Sequence, residues 1–102
     1  MKFRVLPEAQ AELLEAADWY DRRQALLGNE LLAEVHTQFN TIRSTPFSLP
    51  QIEGYAGGLD LRRLLFKRFP YVVSVLCRAD EVVVVAIAHA RRRPLYRLNR
   101  LS

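Results

Sequence analysis

The chain opens with a polar and apolar alternation that gives way to helical spacing. Residues 2–6 alternate polar and apolar side chains before Pro7, which predicts a short strand with one buried face, suited to a sheet edge. Residues 9–23 then carry apolar side chains at steps of three and four, and Pro7 is well placed in the first turn of this amphipathic helix. The apolar positions that define its buried face are Leu13, Ala16 or Ala17, and Tyr20.

A second amphipathic helix follows after a short break in the pattern. Gly28 suits a left-handed residue at the turn, and Asn29 is a good N-cap for the helix that we expect to begin there. Pro46 and Pro50 end it. Because the connection is short, the two helices should form an antiparallel hairpin. The second helix has its apolar residues at Leu31, Leu32, Val35, Phe39 and Ile42.

The second half of the chain has the pattern of strands. Residues 46–60 hold two prolines and three glycines without a sustained period, and a loop of this length often has a function of its own. Three strand-like runs follow at residues 61–67, 71–78 and 82–89, the last two joined by a hairpin-sized connector. The last run is continuously apolar, as expected of a strand covered on both faces.

The order of elements is therefore β-α-α-β-β-β, an α+β arrangement. A helix hairpin should pack on one face of a small, mostly antiparallel four-stranded sheet, with the first strand beside a later one. With 102 residues, half of them hydrophobic, we expect a single domain spanning residues 1–102.

The charges divide unevenly along the chain. Residues 1–60 contain five basic and nine acidic side chains, whereas residues 61–102 contain ten basic side chains, nine of them arginine, against two acidic ones. Arg91, Arg92 and Arg93 follow directly on the most apolar strand, so a rigid element holds them in place. A basic half of this kind attracts nucleic acid or an acidic protein segment, and arginine favours bidentate contact with phosphate or carboxylate.

The sequence offers few residues for disulfide bonds or metal binding. Cys77 is the sole cysteine, so the sequence supports neither a disulfide framework nor a Cys/His metal cluster, and His36 and His89 are too far apart in sequence to make a metal site. No cofactor is expected. The chain has no apolar run long enough for a signal peptide or a membrane span, and we expect a cytoplasmic protein.

Three segments together resemble the RelE/ParE superfamily of toxins from bacterial toxin–antitoxin modules. They are EAADWYD in the first helix, RRLLFKRFPY across the first predicted strand pair, and AHARRRPLY at the C-terminal end. The ending is more similar to the ParE branch than to the RelE branch. The resemblance implies the fold deduced above and a toxin of a type II module that is neutralised by a cognate antitoxin.

The resemblance leaves two targets open. ParE-like members are associated with inhibition of DNA gyrase and need binding surface, which Arg91, Arg92 and Arg93 would supply here. RelE-like members are ribosome-dependent mRNA endonucleases, and that pattern implies catalytic roles for Arg62, Arg91 and Tyr96. Tyr71, however, stands where the RelE pattern carries another arginine, so the catalytic set is incomplete and gyrase inhibition is favoured.

The remaining candidates follow from chemistry and position. His89 could act as an acid or base, but a histidine at the end of such a strand more often bonds a backbone carbonyl oxygen or water. Trp19 is expected in the core on composition, although it lies one step off the apolar stripe and could anchor a partner. The antitoxin is expected to be an acidic or amphipathic segment that folds on binding, with contacts at Trp19, Arg62, Arg63 and Arg68.

Overall fold

The computed structural model describes residues 1–91 and Arg100, and it confirms the predicted order of elements. Two long helices follow a short strand, and three further strands complete the sheet, with a 3₁₀ turn inside the segment predicted as a loop. The elements are β1 (Lys2–Val5), α1 (Pro7–Arg23), α2 (Leu27–Ser44), the 3₁₀ turn (Pro46–Ser48), β2 (Asp60–Leu65), β3 (Tyr71–Cys77) and β4 (Glu81–His89).

The four strands form one sheet in the order β1-β4-β3-β2. The pairs β2–β3 and β3–β4 are antiparallel, while β1 runs parallel to β4, from Lys2 opposite Glu81 to Val5 opposite Val84. The predicted edge position of the first strand is confirmed. Because its partner lies about 80 residues further along the chain, β1 ties the N-terminus to the last strand of the sheet.

The sheet is covered on both faces, which explains the continuous apolar run of β4. On one face, α1 and α2 pack against Val73, Val75 and Val84. On the other face, Ile52 and Tyr55 from the segment between the 3₁₀ turn and β2 pack over the alternate residues of the strands. The segment of residues 46–60, predicted as a loop, therefore covers the second face of the sheet. The alternate residues that it covers are Leu61, Leu76, Val83 and Val85.

The turn between β2 and β3 is fixed by α2. Phe66 and Phe69 are both buried, which turns the chain inward and ends β2 at Leu65, two residues before the predicted end. The Glu34 carboxylate accepts the backbone N–H groups of Lys67 and Arg68, at 2.6 and 3.2 Å. Since a carboxylate that accepts two backbone N–H groups is held firmly, the turn has a defined position at one end of the sheet.

The junction between the helices differs from the sequence prediction. Leu26, not Gly28, has the left-handed conformation, with φ of 71°, and α2 begins at Leu27, so Asn29 lies inside the helix and is not its N-cap. Gly28 is instead required by the close approach of the two helices. A Cβ at this position would overlap the carbonyl oxygen of Ala17, and the Gly28 N–H donates to Asp21 Oδ1 at 2.8 Å.

Replacing Gly28 with alanine is expected to lower the free energy of unfolding by roughly 1–2 kcal/mol, because the steric overlap outweighs the better helix propensity of alanine. Gly58→Ala is the matched control, since nothing lies within 4 Å of a Cβ there. Urea unfolding followed by circular dichroism measures both changes. Equal stability of the two variants would contradict the proposed reason for Gly28.

Within residues 1–91 and Arg100, neither helix has the length and apolar character of a membrane span.

Candidate functional site

The C-terminal end of β4 presents the side chain of Arg91, and hydrogen bonds hold the backbone at this point. The Ala90 N–H donates to the Pro70 carbonyl oxygen at 2.7 Å, and the Arg91 N–H donates to His89 Nδ1 at 3.2 Å. These two bonds hold the backbone just past the strand, and Arg91 is exposed. We call this position, from His89 to Arg91, the basic end of β4. The backbone from which the exposed Arg91 side chain extends is therefore fixed.

Three further residues predicted for function are not placed by the structure. Arg92 and Arg93, predicted to contact the target, and Tyr96, predicted as a catalytic residue of the mRNA-cleavage alternative, lie outside the described residues.

His89 faces Tyr71 across the β3–β4 pair. The two rings meet edge to face with their centroids 5.6 Å apart. The Nδ1 atom of His89 accepts the Arg91 N–H. The partner of Nδ1 is a backbone N–H, not the carbonyl oxygen or water expected from the sequence, and the bond fixes the backbone of Arg91, two residues further on.

Four rings from three elements make a continuous line beside the basic end of β4. Trp19 and Tyr20 of α1 have centroids 5.0 Å apart, and Tyr20 lies 6.2 Å from Tyr71, which in turn contacts His89. We call these four residues the aromatic row. Burial raises the pKa of the Tyr71 hydroxyl, and the neighbouring Tyr20 and Glu15 add to that rise. Both tyrosines therefore stay neutral across the physiological range.

The predicted core position of Trp19 is wrong, because 48% of this residue is exposed. Its helical position lies off the buried stripe of α1, which consists of Ala9, Leu13, Ala16 and Ala17. The guanidinium of Arg23, one turn further along, lies 4.2 Å from the centre of the Trp19 ring. The other reading of Trp19, a surface residue able to anchor a partner, is the one compatible with this exposure.

Arg68 lies near the aromatic row, in the turn between β2 and β3. Its guanidinium forms an ion pair with Glu30 at 3.0 Å and lies 5.5 Å from the centre of the Phe69 ring. Phe69 also contacts Tyr20, with centroids 5.0 Å apart. The structure therefore brings Trp19, Arg68 and Arg91 to the same end of the molecule, as no periodicity in the sequence could show.

Hydrogen bonds to neighbouring parts of the chain hold the side chain of Arg62 in place. Its Nε donates to Asp60 Oδ1 at 2.9 Å, and Nη1 donates to the carbonyl oxygens of Phe47 and Leu49 at 2.7 and 2.8 Å. A longer bond joins Nη2 to Asp60 Oδ2. Four of the five N–H donors of the guanidinium are thus engaged, and only 16% of the side chain is exposed. Arg62 fastens the 3₁₀ turn to β2.

Arg63 points to the opposite face of the sheet from Arg62, since successive residues of a strand alternate. Its backbone N–H donates to the Pro50 carbonyl oxygen at 3.0 Å, so the segment before β2 also lies against this edge. The side chains of Arg62 and Arg63 therefore do not form one basic patch. Arg62 lies on the face of the sheet that the helices cover, and Arg63 lies on the opposite face.

One cluster was not anticipated from the sequence. At the β-bulge of β4, the Glu12 carboxylate accepts the Ile87 N–H at 3.0 Å and pairs with the Arg100 guanidinium at 3.0 and 3.1 Å. Arg100 also donates to the Val85 carbonyl oxygen at 2.9 Å. The two charged side chains are 15% and 10% exposed. Because β1 pairs with β4 only as far as Val84, these bonds satisfy backbone groups of β4 just beyond the end of β1.

The described part of the chain shows no grouping of three histidine, cysteine or acidic side chains that could hold a metal ion. The basic end of β4 and the aromatic row beside it present arginine and aromatic rings, which are common in protein interfaces.

The family model of the ParE toxin of the type II toxin–antitoxin system parDE matches residues 3–94. The chain belongs to the ParE toxin family. As a ParE toxin, it is one component of a two-protein module and has a cognate antitoxin as its partner. The predicted RelE/ParE fold, the ParE branch and the toxin function are confirmed, and the RelE-like alternative is not favoured.

A solved structure supports the fold independently. The chain is similar to a protein of the chromosomal ParDE toxin–antitoxin system from P. aeruginosa, with a TM-score of 0.76 and 15% sequence identity. The match covers 87% of this chain and 95% of that chain. At this identity the similarity shows the fold alone. The comparison with curated proteins finds no match.

Proposed function

We propose that this ParE toxin inhibits DNA gyrase and that Arg91, with Arg92 and Arg93, contacts that target. The observation that carries the proposal is the exposed Arg91, whose backbone N–H donates to the His89 side chain and follows the Ala90–Pro70 backbone bond at the end of a buried strand. Inhibition by binding requires surface and charge, and the basic second half of the chain supplies both. The residues act together as one toxin domain, residues 1–102, in the cytoplasm where gyrase works.

The state of Arg62 supports inhibition by binding over mRNA cleavage. A catalytic arginine must direct its donors at the scissile phosphate, because it stabilises charge that develops in the transition state. The donors of Arg62 are directed at Asp60, at the carbonyl oxygen of Phe47 in the 3₁₀ turn and at that of Leu49 just after it. Tyr71, in turn, belongs to the aromatic row and carries no charge to replace the arginine of the RelE pattern.

The antitoxin contact is proposed at the end of the molecule where Trp19 and Arg68 lie, with Arg63 on the opposite face of the sheet. Trp19 offers a half-exposed ring, and Arg68 is 60% exposed in its side chain. An acidic or amphipathic segment that orders only on binding can wrap both faces. Arg62 takes part in this contact only by fixing the segment before β2.

The test is a supercoiling assay with purified gyrase and relaxed plasmid. We expect the wild-type toxin to inhibit supercoiling, and Arg91→Glu to weaken inhibition by about tenfold or more, because a charge reversal at a contact adds repulsion to the lost attraction. Arg78→Glu is the matched control, since Arg78 is also exposed but follows β3 at the opposite end of the sheet.

The assay has a clear contrary result. If the wild-type toxin leaves supercoiling unchanged, while a cell-free extract stops translating and its mRNA is cut at the ribosomal A site, the gyrase proposal is lost. Equal loss of inhibition in Arg91→Glu and Arg78→Glu would contradict the role of the basic end, because it would show that only net charge matters.

A further inference from the structure

We propose that the aromatic row is a second contact surface for the target protein, continuous with the basic end of β4, and that it receives an acidic segment carrying an apolar side chain. This inference rests on the proposed function, since it extends the surface used for the same target. It gives Trp19, already proposed as an antitoxin contact, a second role in binding the target, so that the two partners share this ring, and it adds Arg23 to the surface.

The first observation is the state of Trp19. A tryptophan that is 48% exposed keeps a large apolar surface in water, and here the Arg23 guanidinium lies over the ring at 4.2 Å. This contact restricts both long side chains before any partner arrives. Surfaces that are ordered in advance lose less conformational entropy on binding, which favours affinity.

The second observation is continuity. The row runs from Trp19 through Tyr20 and Tyr71 to His89, and His89 Nδ1 accepts the N–H of Arg91. Its two ends therefore carry an arginine each, Arg23 and Arg91. A partner segment that reaches Arg91 along this side of the molecule passes over the rings.

The charges around the row favour a protein partner over nucleic acid. Glu15, Trp19 and Arg23 follow one another at intervals of four residues, so they lie along one side of α1. Glu15 would repel a continuous phosphate backbone, whereas a peptide can place single carboxylates at Arg23 and Arg91 and an apolar side chain at Trp19. The neighbouring Arg22 is already paired with Asp18 at 2.9 Å, which leaves Arg23 as the cation of the row on α1.

The residue types agree with this assignment. Tryptophan, tyrosine and arginine dominate the few positions that carry most of the binding energy of protein interfaces. They do so because large rings bury much apolar area with few rotatable bonds, while the guanidinium pairs with carboxylates in a fixed geometry.

The experiment compares Trp19→Ala with Leu14→Ala in binding to purified gyrase, measured by biolayer interferometry, and in inhibition of supercoiling. Leu14 is the matched control because it lies on the same helix and is 55% exposed, but five residues away and so on another side of α1. We expect Trp19→Ala to weaken gyrase binding by about tenfold or more, Trp19→Phe to restore part of it, and Leu14→Ala to leave it unchanged.

The outcomes separate this inference from the proposed function. Wild-type toxin that does not bind gyrase refutes the proposed function, and the inference with it. Wild-type binding that Trp19→Ala leaves intact refutes the inference alone. A Trp19→Ala variant that loses antitoxin binding but inhibits gyrase as the wild type does also refutes the inference. The same holds for a Trp19→Ala variant that binds gyrase normally and loses only its binding to labelled single-stranded DNA.

Discussion

Replacing Glu12 with alanine is expected to lower the free energy of unfolding by about 3 kcal/mol, because it leaves a buried arginine without its counter-charge. Arg100 would lose both bonds to the carboxylate and keep its bond to the Val85 carbonyl oxygen, and the Ile87 N–H would lose its acceptor. Removing one member of a buried pair costs more than the pair contributes, since the remaining charge stays desolvated.

Thermal unfolding by calorimetry measures this effect, and a loss of this size corresponds to a fall in Tm of roughly 12–24 °C for a chain of about 100 residues. Glu15→Ala is the control, because Glu15 is an exposed acidic residue on the same helix. Arg100→Met should cost less than Glu12→Ala, since Glu12 then keeps the Ile87 N–H. A Tm of Glu12→Ala within a few degrees of the wild type would show that the pair is not formed in solution.

Replacing Arg62 with methionine is expected to lower the free energy of unfolding by about 2–3 kcal/mol, although the methionine keeps most of the aliphatic stem. The carbonyl oxygens of Phe47 and Leu49 would lose their shared donor, and Asp60 would lose its ion pair. Urea unfolding measures the change.

Arg63→Met is the control for Arg62→Met, because the side chain of Arg63 lies on the other face of the same strand. The mRNA-cleavage alternative expects a different result: a stable Arg62→Met protein that has lost cleavage in a translating extract. A stable variant would therefore contradict the structural role that we assign to Arg62.

The periodicity of apolar residues predicted most of the secondary structure correctly, because apolar side chains recur on the buried face of each helix and strand. The helical spacing at Leu13, Ala16 and Ala17 corresponds to the buried side of α1. The unbroken apolar run of β4 correctly indicated cover on both faces, since six consecutive residues from Val82 to Ile87 are buried. The parallel pairing of β1 with β4 also agrees with the expectation that the first strand lies beside a later one.

The helix junction was beyond the reach of sequence pattern. Glycine at a turn usually supplies a left-handed conformation, but here Leu26 takes that conformation while Gly28 allows α1 and α2 to approach. Which of these two uses of glycine applies depends on the distance between helices, and no single position in the sequence encodes that distance.

The sequence predicted the positive charge of the candidate site, but not which side chains the fold brings together there. The three consecutive arginines marked the end of β4, whereas the engagement of Arg62 depends on where the 3₁₀ turn lies. The Glu12–Arg100 pair joins residues 88 positions apart. Such contacts arise from tertiary packing, and local composition carries no signal for them.

The parallel pairing of β1 with β4 also determines when the sheet of this toxin can form during synthesis. The first strand finds its hydrogen-bonding partners only in the final quarter of the polypeptide, and Glu12 receives its backbone donor from the same strand. During synthesis, the N-terminal helices can form early, but the sheet stays incomplete until β4 has left the ribosome. A nascent copy therefore completes its sheet, and the surface that the sheet supports, only late in synthesis.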